Sequence, residues 1–272
     1  MMLEKGRKMK NFLIIVLMVV IVIVTGCGVY YQIDRFNKKD ETKEVKPKTE
    51  EKVEELDVDS EEVTKIMRNI NLVNDISKML AGDYEVGYFY LKDSYKETEI
   101  DNAIKLIIAL NNTDLSQLST ENDEITLNAD EVKTTIKKIF GPNFTYTDVE
   151  RLEGCNLITF DSQNNNYNIK KLKCNKNDTS TYKTKIMHAK KYNDRIEIEE
   201  KAIYINSQLL DDGNTVYNIY KQNKKDMIAE GVKLNIDSKE EYEKYFENTD
   251  TYKYIFKIED GNYYFESVEK IN

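Results

Sequence analysis

Apolar residues are distributed along this chain in three regimes. From Phe12 to Val24 every residue is apolar. From Asp34 to Val58 nearly every residue is charged or polar, too few of them apolar to offset the entropy of ordering a chain. Beyond Asp59 apolar and polar positions recur with a period, first that of helices and then that of strands. Val63, Ile66, Met67, Ile70, Val73 and Leu80 form one stripe, which predicts a helix opening at Asp59 or Ser60 and closing at Gly82. A second helix is predicted over about 99–111, burying Ile100, Ala103, Ile104, Ile107 and Ile108. In the third, Asn128 and Glu131 make a capping-box pattern, Val132, Ile136, Ile139 and Phe140 the stripe, and Gly141-Pro142 the stop.

After Pro142 the period falls to two, and turn residues appear at hairpin spacing. A two-residue turn at Asn164-Asn165 pairs 157–161 with 167–172 and sets Cys155 directly across from Cys174, a placement that permits a disulfide. The same thiols also read as two unpaired small hydrophobes. A turn at Asn193-Asp194 joins 182–191 to 195–205, a further strand covers 215–221, and Ser238 with Glu241 opens a short helix to about 247. Asp260-Gly261 closes the last hairpin, pairing Phe256 with Phe265 and Ile258 with Tyr263, while Lys253, Lys257, Tyr264 and Glu266 face the other way. Helices followed by hairpins predict an α+β fold: helices packed on a mostly antiparallel sheet, preceded by an N-terminal membrane-anchor helix and a charged linker.

The early apolar run sits behind Lys5, Arg7, Lys8 and Lys10, the arrangement of a signal peptide or of an anchor whose start stays in the cytoplasm. Two anchors fit. Val24-Thr25-Gly26-Cys27 resembles a bacterial lipobox, in which Cys27 takes the lipid. Alternatively the apolar character continues through Val29 to Tyr30 and Tyr31, giving about twenty residues, enough to span a bilayer. Either way the expected organisation is an anchor or lipoprotein signal over 1–31, a charged linker over 32–58 and an extracytoplasmic domain over 59–272, held at the cytoplasmic membrane. A flexible linker of that length reaches about 25 to 30 Å.

Composition narrows the chemistry. A net charge of -9 without a basic cluster argues against nucleic acid. A single histidine, His188, removes most nucleophile-base triads and multi-histidine metal sites. In the expected register it faces Glu199 on the polar side. Glu197, Glu199, Glu200 and the Glu240-Glu241-Glu243 cluster read as solvated faces rather than a catalytic pair. The turns at 161–166 and 211–214 are acidic but lack EF-hand spacing. No cofactor is implied. Tyrosine is abundant, at 19 residues; Tyr252, Tyr254 and Tyr263 alternate with the apolar face and are expected in the core, whereas Tyr264 is the exposed binding candidate.

The plan as a whole is a basic start, one apolar segment and a charged stalk, then IKLIIALNN, VKTTIKKIFGPNFTY and YKYIFKIEDGNYYFESVEKI. It resembles membrane-anchored extracytoplasmic proteins of AT-rich Gram-positive bacteria. That resemblance implies anchoring and carries no catalytic residue with it. The functional expectation is a tethered module that binds an envelope component or a partner protein without catalysis. The alternatives are an envelope-active hydrolase working through acidic residues, or a domain that senses conditions outside the cell.

Overall fold

The computed structural model describes residues 52–72, 87–114, 120–121, 124–172 and 180–271. Cys27, Cys174, the apolar run and the second half of the first expected helix, with Val73, Leu80 and Gly82, lie outside the described residues.

Three helices carry the apolar stripes. Helix α1, Glu61–Ile70, buries Val63, Ile66, Met67 and Ile70 and is capped by Ser60, whose hydroxyl accepts from the amide of Val63 at 3.3 Å. Helix α2, Asn102–Asn111, begins later than the pattern predicts, because residues 97–99 form a separate 3-10 turn. Seven of its ten residues are buried, so it runs through the interior rather than along a surface. Helix α3, Ala129–Phe140, ends at Gly141, whose φ of +92° suits glycine. Asn128 caps it by accepting from Asp130 at 2.8 Å, so the cap forms one residue earlier than in a capping box. A short helix α4, Lys239–Tyr242, continues as a 3-10 turn to Asn248.

The strands form two antiparallel sheets among the described residues. The smaller contains β3 (Thr120–Glu121), β4 (Glu124–Asn128), β5 (Arg151–Glu153), β6 (Asn156–Asp161) and β7 (Asn166–Lys171), in the order β3-β4-β7-β6-β5. The larger contains β1 (Glu54–Glu55), β2 (Ser94–Lys96), β8 (Thr181–Lys191), β9 (Arg195–Leu209), β10 (Thr215–Lys221), β11 (Met227–Val232), β12 (Thr251–Glu259) and β13 (Asn262–Lys270). Its main path is β1-β8-β9-β12-β13-β2, and β10 with β11 extends the far half of β9. The α+β reading therefore holds, with two sheets in place of one. Glu54 and Glu55, expected within the charged linker, pair with Lys191 and Lys190 as β1.

Strand β9 organises the larger sheet. Its first half pairs with β12 and its second half with β10. Ile196, Ile198, Glu200 and Ala202 are buried on one face, whereas Ile203 and Ile205 are buried on the other. The main core therefore covers one half of β9. A small second core, Ile203, Ile205, Ile219 and Phe246, covers the opposite face of the other half. Helix α3 packs on both β13 and β4, joining the two sheets through one apolar interior.

Two of the expected hairpins form in the expected register, pairing His188 with Glu199 and Phe256 with Phe265. The β6–β7 hairpin is shifted by two residues. Asp161 pairs with Asn166, and the amide of Leu172 donates to the carbonyl of Cys155, so Leu172 takes the place across from Cys155 that the expected register assigned to Cys174. The cause lies in the turn, where the Asp161 carboxylate accepts from the amides of Gln163 and Asn164 and Asn165 takes a φ of +53°. Together they make a four-residue loop in place of a two-residue turn. Cys155 is nevertheless disulfide-bonded.

Candidate functional site

Two places in the fold concentrate chemistry. The first is internal and is built on Glu200. The alternation that buries Ile196 and Ile198 carries the Glu200 side chain onto the same apolar face, where it is only 5% exposed. It is therefore not on the solvated face assigned to it from composition, because strand period, not charge, decides which way a side chain points. Glu197 and Glu199 do point to the other face, and Glu197 pairs with Arg195 at 2.8 Å.

A buried carboxyl needs donors, and aromatic hydroxyls supply them. The Tyr90 hydroxyl donates to Glu200 at 2.7 Å, and Thr184 and Tyr254 donate as well. Burial pushes Glu200 up to about 7 from its ordinary 4.5, although the three hydroxyls pull the other way. Desolvation likewise holds Tyr90 and Tyr254 well above the usual phenol range. Tyr90 belongs to a 3-10 turn, Tyr88–Tyr90, whose three rings are all buried. Phe89 lies 5.6 Å from Phe265 and 6.0 Å from Tyr254, and Tyr90 lies 5.2 Å from Tyr252. Gly87 lets this turn approach: it has a φ of +88°, and a Cβ there would come within 2.4 Å of the Tyr182 ring. A cavity of about 10 Å³ adjoins the cluster, room for a single water, and among the described residues Glu200 is the one carboxylate that lines it.

The second place is a surface groove of about 410 Å³. Its walls are the turn that follows β2, from Lys96 to Thr98, and the turn that ends α3, from Phe140 to Asn143. Tyr264, Glu266, Lys257 and Glu259 of the last hairpin complete it. Tyr264 is half-buried because Gly141 sits against its ring, where an added Cβ would stand 3.4 Å from Cγ. Lys257 pairs with Glu259. Beneath the wall, Lys105 is 1% exposed and its ammonium reaches Glu97 at 2.5 Å and the carbonyl of Thr145 at 2.8 Å, 5.4 Å from the Phe140 ring centroid.

Other expected residues take structural roles. Tyr252 and Tyr254 are in the core, and Tyr263 is partly buried with its hydroxyl between Glu62 and Lys191. His188 is exposed opposite Glu199. Asp161 and Asp212 are held below the usual carboxylate range chiefly by Asn164 and Asn214, so each closes its own turn. Among the described residues no group of three His, Cys, Asp or Glu side chains is placed to hold a metal ion, and no helix is long and apolar enough to cross a membrane. Comparison with protein-family models, curated proteins and solved structures gives no match.

Sequence reasoning singled out Tyr264, expected exposed but half-buried against Gly141 in the groove wall, and missed Glu200, Tyr90 and Lys105. The signal for Glu200 was present as Ile196-x-Ile198-x-Glu200-x-Ala202, a period-two run with an acid in an apolar phase. Lys105 carries a similar signal inside the apolar string IKLIIAL.

Proposed function

We propose that this chain is a membrane-tethered extracytoplasmic module that binds an envelope component or partner protein without catalysis, through the groove over Tyr264. The observation that carries the reading is the groove itself. It is open, its volume lies in the range of about 300–1,000 Å³ common to ligand sites, and it sets an aromatic ring among polar groups. The tether is supported by the basic cluster followed by the apolar run from Phe12.

The alternative, an envelope-active hydrolase, has one observation in its favour, the Glu200 carboxyl raised to about 7, the range of a general acid at neutral pH. It ranks second because the cavity beside Glu200 has only water-sized space, too little for a glycan flanked by the two carboxyls that acid-assisted cleavage uses, and among the described residues it offers one carboxyl.

Two measurements test the proposal. Fractionated cells are expected to hold the full-length chain in the membrane pellet, released by detergent but not by salt. The detergent-solubilised chain is expected to sediment with purified wall sacculi, and its Tyr264→Ala variant to stay in the supernatant. Recovery of the chain in the cytosolic fraction would overturn the tether. Release of sugar or peptide fragments from sacculi, abolished by Glu200→Gln, would replace binding with hydrolysis.

A further inference from the structure

Resting on the reading of the Tyr264 groove as a binding site, we infer that its occupant is an uncharged carbohydrate segment of an envelope glycan. The charges of the groove point there first. Lys96 and Lys257 face Glu97, Glu259 and Glu266, and the remaining acid is balanced by Lys105 lying directly under Glu97. Lys257 pairs with Glu259, and Lys105 with Glu97. Fields that cancel at this range give no long-range attraction to a phosphate-bearing polymer or to a strongly charged peptide. What persists at contact distance is a mixture of ammonium donors and carboxylate acceptors, with the hydroxyls of Thr98 and Ser267 and the amide of Asn143 on the same rim. A ligand that both donates and accepts at many points without net charge suits that mixture, and a polyol has that character.

The aromatic ring supplies the second half of the argument. Tyr264 stands on β13 beside Lys257 of β12, its cross-strand partner, and is backed by Gly141. The glycine has no side chain to displace the ring, so the α3 turn packs against it and both line the groove. A braced ring between hydrogen-bonding groups binds the apolar face of a sugar while its hydroxyls meet the rim.

The test uses the full-length chain in detergent and chitotetraose, an uncharged oligosaccharide, followed by titration calorimetry. Saturable binding is expected, with a Kd that changes by less than about twofold as salt rises from roughly 50 to 500 mM. Tyr264→Ala is expected to weaken binding about tenfold, and Tyr264→Phe, which keeps the ring, to leave it within about twofold. Should the alanine variant lose its fold by circular dichroism, ring-carbon NMR of the unaltered chain labelled at tyrosine decides: a titrating Tyr264 signal supports the inference and a static one overturns it. Binding confined to acidic or basic peptides, or a steep fall of affinity with salt, would also overturn it. If chitotetraose does not bind while sacculi still sediment the chain through Tyr264, the carbohydrate assignment fails and the groove survives. If sedimentation fails too, the reading of the groove as a binding site falls with it.

Discussion

The hydroxyl of Tyr90 donates to the carboxylate of Glu200 at 2.7 Å, joining groups 110 residues apart in a place nearly closed to water. One comes from a tight aromatic turn and the other from the middle of the longest strand. Their contact makes the main core depend on a proton.

Glu200 is raised from 4.5 to about 7 when folded, so between those values the folded chain holds a proton that the unfolded chain has released. The stability linked to that proton is fully present below pH 4.5 and is lost as pH rises through about 7. At about 1.4 kcal/mol per pKa unit, the difference is on the order of 3 kcal/mol. Urea unfolding of the parent and of Glu200→Gln is therefore expected to give a stability difference that shifts by this amount in favour of the variant between pH 4.5 and 8. A constant difference would mean that Glu200 is solvated.

Tyr90→Phe removes one of the three hydroxyl donors to Glu200 and leaves the ring packing in place. The variant is expected to lose about 1–3 kcal/mol at pH 8, where the carboxylate is charged, and less at pH 4.5. Equal losses at both values would argue that the hydroxyl does not serve the anion.

Lys105→Ala strips the buried partner from Glu97 of the groove wall, and the expected loss is about 3–5 kcal/mol. The double variant Lys105→Met with Glu97→Gln is expected to recover most of it, since an unpaired buried charge costs more than a missing pair. Thermal unfolding of the three chains checks this, and a double variant as unstable as the single would contradict it.

Gly141→Ala is expected to cost more than about 1 kcal/mol, because φ at this position is +92° and the new methyl meets the Tyr264 ring. Asn128→Ala, at the other end of α3, is expected to cost about 1 kcal/mol through its lost cap. Chemical denaturation would show whether the order holds.

Peptide mapping of the unreduced chain is expected to find Cys155 in a disulfide. Cys174 is the proposed partner. A map in which Cys155 alkylates without reduction would rule the bond out.

The sequence alone determined the pieces whose causes are local. Gly141-Pro142 stops α3, Asp260-Gly261 sets Phe256 against Phe265, and the turn at Asn193-Asp194 places His188 opposite Glu199. In each the chain carries its own signal, a cap or a turn whose backbone geometry few residues accept. The β6–β7 register escaped because Asp161 bonds to its own turn and lengthens the loop, a choice between two local solutions with similar composition. Only the tertiary structure decided that β9 buries opposite faces along its two halves, that Glu200 meets Tyr90, and that the ends of β2 and α3 leave a groove over Tyr264. Those relations depend on which distant segments share a core. Burial is a property of the assembled layers, and the same glutamate is a solvated charge or a shielded acid according to what packs above it.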